Sequence, residues 1–405
     1  MMVSRILKNG IHFCKAVLAL AYYRFPSKKL ILIGVTGTDG KTTTVSMIYE
    51  ILRVAGKRVA KISTVGAVID ERELDTGFHT TTPDALSTQK FLRQMVDSGI
   101  EYAVLEVSSH ALDQFRVWGC HFAVGVLTNI TLEHLDYHGT MEEYRNSKAK
   151  LLSASDVLVL NSQDKSFPIL KNTFEKTKKI ISYPTKRLDK KLQTIISEKF
   201  KEPYNYLNAQ AAVLTTKALG VSEEIVGRAL KGFNHVSGRL EKINNRKGLN
   251  IIVDFAHTPN ALENVLKTLR PRNKTRLICV FGCAGERDKN KRFEMGKIAA
   301  KYANICVITA EDPRSEDVNQ IIDQISLGVV DGRGEKGVSF FQIPERGQAI
   351  YQAINVLAMA GDTVVICGKG HEKSMAYGSI EYPWSDQKAV QMALSGRVMK
   401  IRIRH

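Results

Sequence analysis

From Lys29 to Asn161 the chain alternates short aliphatic, β-branched runs with stretches in which apolar positions recur every three or four residues. The runs are KLILIGVT, KRVAKIST, EYAVLEVS, FAVGVLTN and DVLVLN, and the first is followed by a stretch with Val45, Ile48 and Leu52 on one helical face. Strands that alternate with helices bury both faces of a parallel sheet, so the pattern predicts a doubly wound α/β domain. A second series, NIIVDFA, TRLICVFG, NICVITA and DTVVICG, follows Arg239, with helical stretches over 317–330 and 346–360. The expected organisation is an N-terminal segment over 1–28, a first α/β domain over 29–236 and a second, Rossmann-like α/β domain over 237–405.

Residues 1–29 hold six basic residues (Arg5, Lys8, Lys15, Arg24, Lys28, Lys29), no acids, and apolar Ile11, Phe13, Val17, Leu18, Leu20, Tyr22 and Tyr23. That mixture predicts an amphipathic helix, which either packs on the first domain, the favoured reading, or makes peripheral contact with an anionic membrane face. The best apolar run, Ala16 to Tyr23, is bounded by Lys15 and Arg24 and is too short to span a bilayer. No small-residue cleavage site follows it, which argues against a signal peptide.

Composition adds limits. With 405 residues, 44% hydrophobic and 24% charged, the chain is an ordinary globular protein, and disordered or disulfide-stapled classes are excluded. A net charge of +17 favours anionic partners. Residues 164–203 are rich in Lys but offer no aromatic platform, so a solvated face is expected there and no nucleic-acid partner. The six cysteines are scattered, several within apolar runs, as buried reduced thiols would be; this predicts a reducing, cytoplasmic setting. Cys279 and Cys283 lack the second ligand pair of a metal site.

The strongest local signal is GVTGTDGKTTT, residues 34–44, between an apolar strand and an amphipathic helix. A phosphate loop fits there. Gly37 and Gly40 allow the backbone of Thr38 and Asp39 to turn its N–H groups toward an anion, Lys41 adds a full charge, and Thr42, followed by Thr43, can ligate Mg²⁺. Val35 stands where the standard eight-residue pattern has Gly, so the loop is a variant. Glu106 ends a strand on the ligand side of the sheet and His134 follows the next one.

Together with TTPDAL, EVSSHALDQFRV, TNITLEHLDYHGTMEEYRNSK, NYLN, GRLE, DFAHTPNALE, FGCAGERDKNKR, DPRSED and GKGHE, this loop resembles the Mur ligases, specifically the UDP-N-acetylmuramoyl-tripeptide synthetase (MurE) type. The motifs run in family order from about residue 30 to 388. The resemblance implies a P-loop central ATPase domain followed by a C-terminal Mur ligase domain. It also implies an ATP- and Mg²⁺-dependent amide ligase of peptidoglycan precursor synthesis that adds a third amino acid to a muramoyl dipeptide through an acyl phosphate. By position, Thr42 and Glu106 match the ligands of one Mg²⁺, Glu106 and His134 those of a second, and Lys148 the lysine the family carbamoylates. Lys41, Glu106, His134 and Lys148 are the expected catalytic set.

Thr81, Thr82, Ser108, Gln114 and Arg116 match residues that hold the muramoyl substrate, and Asn205 and Asn208 match the adenine pair. In the second domain Arg239 and Asp254 match ATP contacts, while Arg287 and Lys291 lie in a loop that faces phosphate. Hinge motion is expected near Ser237–Gly238. The third-residue selector, Asp-Asn-Pro-Arg in enzymes that add meso-diaminopimelate, reads Glu311-Asp312-Pro313-Arg314 here; Arg314 favours diaminopimelate over lysine, whereas Asp312 in place of Asn leans toward a more cationic substrate. Gly368 and Glu372 match the remaining amino-acid contacts, with Glu372 gripping an ammonium group. Family members place a UDP-binding domain ahead of the phosphate loop, which ~30 residues cannot form. The expectation is a synthetase without that domain; the alternative is a family ligase for another carboxylate, such as a lipid-linked acceptor.

Overall fold

The computed structural model describes residues 2–74, 81–234, 236–271 and 274–402, with side chains of the first helix described from Lys8 onward, so the Arg5 side chain lies outside the described residues. The chain forms two compact units, Met1–Asn234 and His235–His405.

Among the described residues eight strands cross the first unit: β1 Ile31–Thr36, β2 Val59–Ser63, β3 Gly66–Ile69, β4 Arg72–Leu74, β5 Tyr102–Glu106, β6 Phe122–Leu127, β7 Ser155–Asn161 and β8 Lys179–Tyr183. Their order is β4-β3-β2-β5-β1-β6-β7-β8. From β2 to β8 neighbouring strands run parallel, and the nearly continuous apolar runs of β1, β5, β6 and most of β7 are buried on both faces. One face packs Val35, Val104 and Val126 against Ile48 and Ile51 of the helix Lys41–Val54 and Ala212 of the helix Pro203–Ala218; on the other face Leu32, Ile62 and Leu105 meet Leu92 and Met95 of the helix Ala85–Asp97.

The sheet is not wholly parallel. β3 and β4 add an antiparallel edge through a two-residue turn in which Asp70 and Glu71 both have positive φ, the turn geometry that matches strand twist. Strands this short and this exposed carry too little periodicity to be read from sequence.

The first helix, Met2–Tyr22, buries Ala16, Ala19 and Leu20. Leu20 lies against Gly119, Phe13 meets the rings of Phe115 and Trp118 edge-on at 5.3 and 5.1 Å, and Asn9 Nδ2 donates to Asp113 Oδ2 at 3.1 Å. It therefore docks on the first unit. The lysine-rich stretch after β7 forms the helices Phe167–Phe174 and Lys190–Lys199 around the edge strand β8, each with a narrow buried stripe.

The second unit holds β9 Glu241–Ile243, β10 Asn250–Asp254, β11 Leu277–Phe281, β12 Ile305–Ile308, β13 Phe340–Gln342 and β14 Thr363–Cys367 in the order β13-β12-β11-β14-β10-β9, with β9 antiparallel. A hairpin of β15 Ser374–Tyr377 and β16 Ile380–Pro383 follows. The expected helix over 346–360 is Arg346–Gln352, which continues into a wider π turn over Ala353–Leu357. Arg346 is fully buried, pairs with Asp386 at 2.7 Å and donates to the carbonyls of Ala310 and Cys367, so it fixes two strand ends at once. All cysteines are free thiols and only Cys14 is exposed. Among the described residues no cluster of three metal-binding side chains occurs, and no helix is long and apolar enough to cross a membrane.

Candidate active site

The phosphate loop joins the C-terminal end of β1 to the helix Lys41–Val54, so the first free N–H groups of that helix and its positive end point at the loop. Gly40 caps the helix at φ 81, and a Cβ there would lie 2.3 Å from Asn208 Oδ1. Conformation and space both require glycine. The loop is clamped by the end of β6: Thr38 N–H donates to Asn129 O at 2.8 Å, Asp39 N–H to Asn129 Oδ1 at 2.9 Å, and Thr128 Oγ1 to Asp39 O at 2.6 Å. Thr43 is half-buried beside them.

Lys41 Nζ donates to Gly37 O at 3.1 Å and Thr38 O at 2.7 Å, which folds its ammonium over the loop. Lys148, from the helix Met141–Ser153, reaches the same carbonyl: its Nζ donates to Gly37 O at 2.6 Å and stands 4.4 Å over the ring of Tyr144. Lys148 is 1% exposed. Burial, and next the charge of Lys41, hold its amine well below the ordinary lysine range. A surface-lysine reading of this position is thereby removed. Tyr144 also ties the loop, with its hydroxyl 3.0 Å from Thr38 Oγ1.

Glu106 ends β5, next to β1 in the sheet, and is 1% exposed. Its carboxylate accepts from Thr42 Oγ1, Thr64 N–H and Thr64 Oγ1, each at 2.9 Å. His134 has φ 57 at the start of the short helix Leu135–His138; its Nε2 is 3.5 Å from Glu133 Oε2 and its ring meets His110 at 4.7 Å. Asn205 and Asn208 lie on the helix Pro203–Ala218, one turn apart, with Asn208 against Gly40 and 3.4 Å from Thr44 Oγ1.

Beside Glu106, Thr82 Oγ1 donates to Glu106 O at 3.0 Å and accepts from Ser108 N–H at 3.0 Å; Thr81 precedes it, half-buried. Arg116 donates to Thr82 O at 2.6 Å and to Gln114 Oε1 at 2.7 Å, and Gln114 in turn donates to Tyr137 OH at 3.2 Å. The guanidinium thus makes its hydrogen bonds to neutral acceptors, while the Asp84 carboxylate also acts on its charge.

The second unit presents its own cluster. Asp254, at the end of β10, accepts from the N–H groups of Leu240 and Ala256 at 2.7 Å, and the Arg239 guanidinium lies 4.5 Å over the Phe255 ring. Lys291 donates to His257 O at 2.9 Å, whereas Arg287 is exposed. Asp312 and Arg314, on either side of Pro313, are non-glycine residues with φ 44 and 52. Such paired backbone strain persists only where the surroundings impose it. Arg314 Nη1 donates to Gly285 O at 2.6 Å.

Asp312 is not an open acid. Its Oδ1 accepts from Lys369 Nζ at 2.7 Å and Ala376 N–H at 2.9 Å, and Lys369 also reaches Glu372 Oε2 at 2.5 Å. Lys369 is fully buried; burial opposes its charge, but Glu372 and Asp312 outweigh it and raise its pKa. The charge of Asp312 is therefore balanced inside the protein by Lys369, whose ammonium Glu372 also holds. Behind them Glu311 Oε2 is buried without a hydrogen-bond partner, and burial pushes its carboxyl up to about 8. It occupies the space a side chain at Gly368 (φ 112) would need, 2.4 Å from such a Cβ.

Sequence reasoning named Glu311 only as part of the selector string and did not single out Tyr144, Asn129, Thr64 or Lys369. Asn129 was findable, since it directly follows the strand beside β1; the others act through contacts between distant segments.

Residues 35–227 match the Mur ligase middle domain and residues 238–370 the Mur ligase, glutamate ligase domain. A UDP-N-acetylmuramoyl-L-alanyl-D-glutamate--2,6-diaminopimelate ligase of Geobacillus thermodenitrificans is 39% identical over 411 residues, covering 94% of this chain and 82% of that relative. A protein of the same name from Gloeobacter violaceus is 39% identical, covering 94% and 81%. A solved structure of a ligase of that name is 30% identical, covers 92% of this chain and 81% of that one, and has a TM-score of 0.58. The folylpolyglutamate synthase of Mycobacterium tuberculosis, complexed with ADP and AMPPCP, has a TM-score of 0.68 at 15% identity, covering 88% and 92%, a likeness of fold alone.

Proposed function

The chain belongs to the Mur ligase family, and on that premise we propose that it joins meso-diaminopimelate to the D-glutamyl carboxylate of UDP-N-acetylmuramoyl-L-alanyl-D-glutamate, with conversion of ATP to ADP and phosphate. The observation that carries the ligase chemistry is the convergence of Lys41 and the buried Lys148 on Gly37 O beside the Thr42–Glu106 pair.

A carboxylate is a poor electrophile, and the reaction brings it up to an equally anionic triphosphate. The loop N–H groups and Lys41 hold the β- and γ-phosphates. A carboxylate oxygen attacks the γ-phosphorus and ADP leaves; the amine nitrogen then attacks the acyl carbon, phosphate leaves, and the nitrogen gives up its proton. The hydroxyl of Thr42 and the carboxylate of Glu106 are hard oxygen donors 2.9 Å apart, a donor set that fits Mg²⁺, and His134 is the further ligand on this reading. Bound there, Mg²⁺ supplies neutralisation between the two anions.

Lys148 as an ammonium would repel a cation. Its burial favours the neutral amine, the form that adds CO₂ to give a carbamate and release a proton, and the resulting anion would face Lys41. Thr81, Thr82, Ser108, Gln114 and Arg116 hold the muramoyl dipeptide, Asn205 and Asn208 the adenine, and Arg239 and Asp254 further parts of ATP. Arg314 selects diaminopimelate through its distal carboxylate, which lysine lacks. The test is phosphate release that requires both the muramoyl dipeptide and diaminopimelate; release without either would contradict it.

A further inference from the structure

The helix Met2–Tyr22 is apolar on its outward side as well as on its docked side. Ile11, Cys14, Leu18 and Tyr22 follow the spacing i, i+3, i+7, i+11 and share one face, opposite to buried Ala16 and Leu20. Ile11 is 58%, Leu18 69% and Tyr22 76% exposed, and Cys14 is open to solvent. A helix that only docks on a globular unit carries polar residues there.

Charge surrounds this face. Lys8 and Lys15 border it, and Arg24, Lys28 and Lys29 follow its end, all exposed. The Lys28 ammonium stands 5.1 Å over the ring of Phe25, itself half-open, an arrangement with an apolar body and a cationic tip. Residues 1–29 contain no acid. A second copy of the same face would bring the same cations together in a chain of net charge +17, whereas an anionic surface complements them. No described helix is long and apolar enough to cross a bilayer; an apolar face bordered by cations is the pattern of a helix that lies in the interface plane.

We propose that this face seats the protein on an anionic phospholipid surface, with Ile11, Leu18 and Tyr22 entering the boundary between headgroups and acyl chains and Lys8, Lys15 and Lys28 at the headgroups. The inference does not depend on which amino acid the ligase adds.

The 405-residue chain is sedimented with phosphatidylglycerol–phosphatidylcholine vesicles and with phosphatidylcholine vesicles. Partition into the anionic vesicles should be at least about tenfold stronger and should weaken with added salt. The double variant Ile11→Ser/Leu18→Ser should bind at least about tenfold more weakly, while its unfolding midpoint stays unchanged because both side chains are exposed. Leu18→Trp should show a blue-shifted emission only with the anionic vesicles. Equal partition into both vesicles, no partition, or a double variant that binds like the parent would overturn the proposal. So would a concentration-dependent dimer that the double variant abolishes, since a second copy would then own the face.

Discussion

Lys369→Met tests the reading of the amino-acid pocket, because it keeps the length of a buried side chain and removes only its cation. Asp312 and Glu372, whose side chains are 7% and 15% exposed, would then face each other without the ammonium that lies 2.7 and 2.5 Å from them. Two like charges about 4 Å apart repel by ~4 kcal/mol at an effective dielectric constant near 20. Removal of one partner from a buried ion pair costs about 3–5 kcal/mol by measurement. Both routes give a loss of about 4 kcal/mol at pH 7.5. The second unit can be followed alone, since its Trp384 is buried and the chain's other tryptophan is Trp118. Urea unfolding by tryptophan fluorescence in a Trp118→Phe background should show the lost stability, and Asp312→Asn added to Lys369→Met should recover at least about 1 kcal/mol as coupling. A Lys369→Met variant within about 1 kcal/mol of its parent at pH 7.5, or strict additivity of the two changes, would refute the buried pair.

Other expectations concern activity and pH. Lys148→Ala should lower kcat at least about a hundredfold and regain rate with short-chain carboxylates; unchanged turnover would remove Lys148 from the reaction. Gly40→Ala forces a Cβ onto Asn208 at a positive φ and should weaken ADP affinity at least about tenfold in calorimetry, with equal affinity disproving the close approach. Arg314→Ala should raise KM for diaminopimelate by roughly 10- to 100-fold, the worth of a charge-assisted bond, while Asp312→Asn changes the preference between diaminopimelate and lysine less than about threefold; the reverse order would restore Asp312 as selector. Glu311 binds its proton up to about pH 8 when folded but releases it near pH 4.5 when unfolded, so the native state binds more protons between those values and its stability falls as pH rises. Glu311→Gln should therefore gain on the parent by up to about 1.4 kcal/mol per pH unit across that window; a difference in midpoint that does not change with pH would contradict the buried, unpartnered carboxyl.

The parallel strands were legible because burial on both faces leaves continuous aliphatic runs, as in ILIGVT and TVVIC. β3, β4 and β8 were not, since β4 and β8 are half-solvated edge strands and β3 is only four residues long, too short to carry a strong period. The phosphate loop was legible as a local string between a strand and a helix. What the string could not show is that Lys148, more than a hundred residues on, ends on the same carbonyl as Lys41. Nor could it show that the acid at Asp312 is answered by Lys369, because that depends on the hairpin β15–β16 bringing Ala376 alongside. The first helix set a different limit: its composition suggested either docking or a lipid surface, and the structure has it dock through one face while the other stays apolar and open.

The most direct measurement is phosphate release by the purified protein with ATP, Mg²⁺ and UDP-N-acetylmuramoyl-L-alanyl-D-glutamate, in parallel with diaminopimelate, with lysine and with no amino acid. The account predicts turnover with diaminopimelate at least about tenfold above lysine and none without an amino acid. Equal rates with lysine would contradict the role of Arg314, and no amino-acid-dependent turnover at all would contradict the proposed reaction.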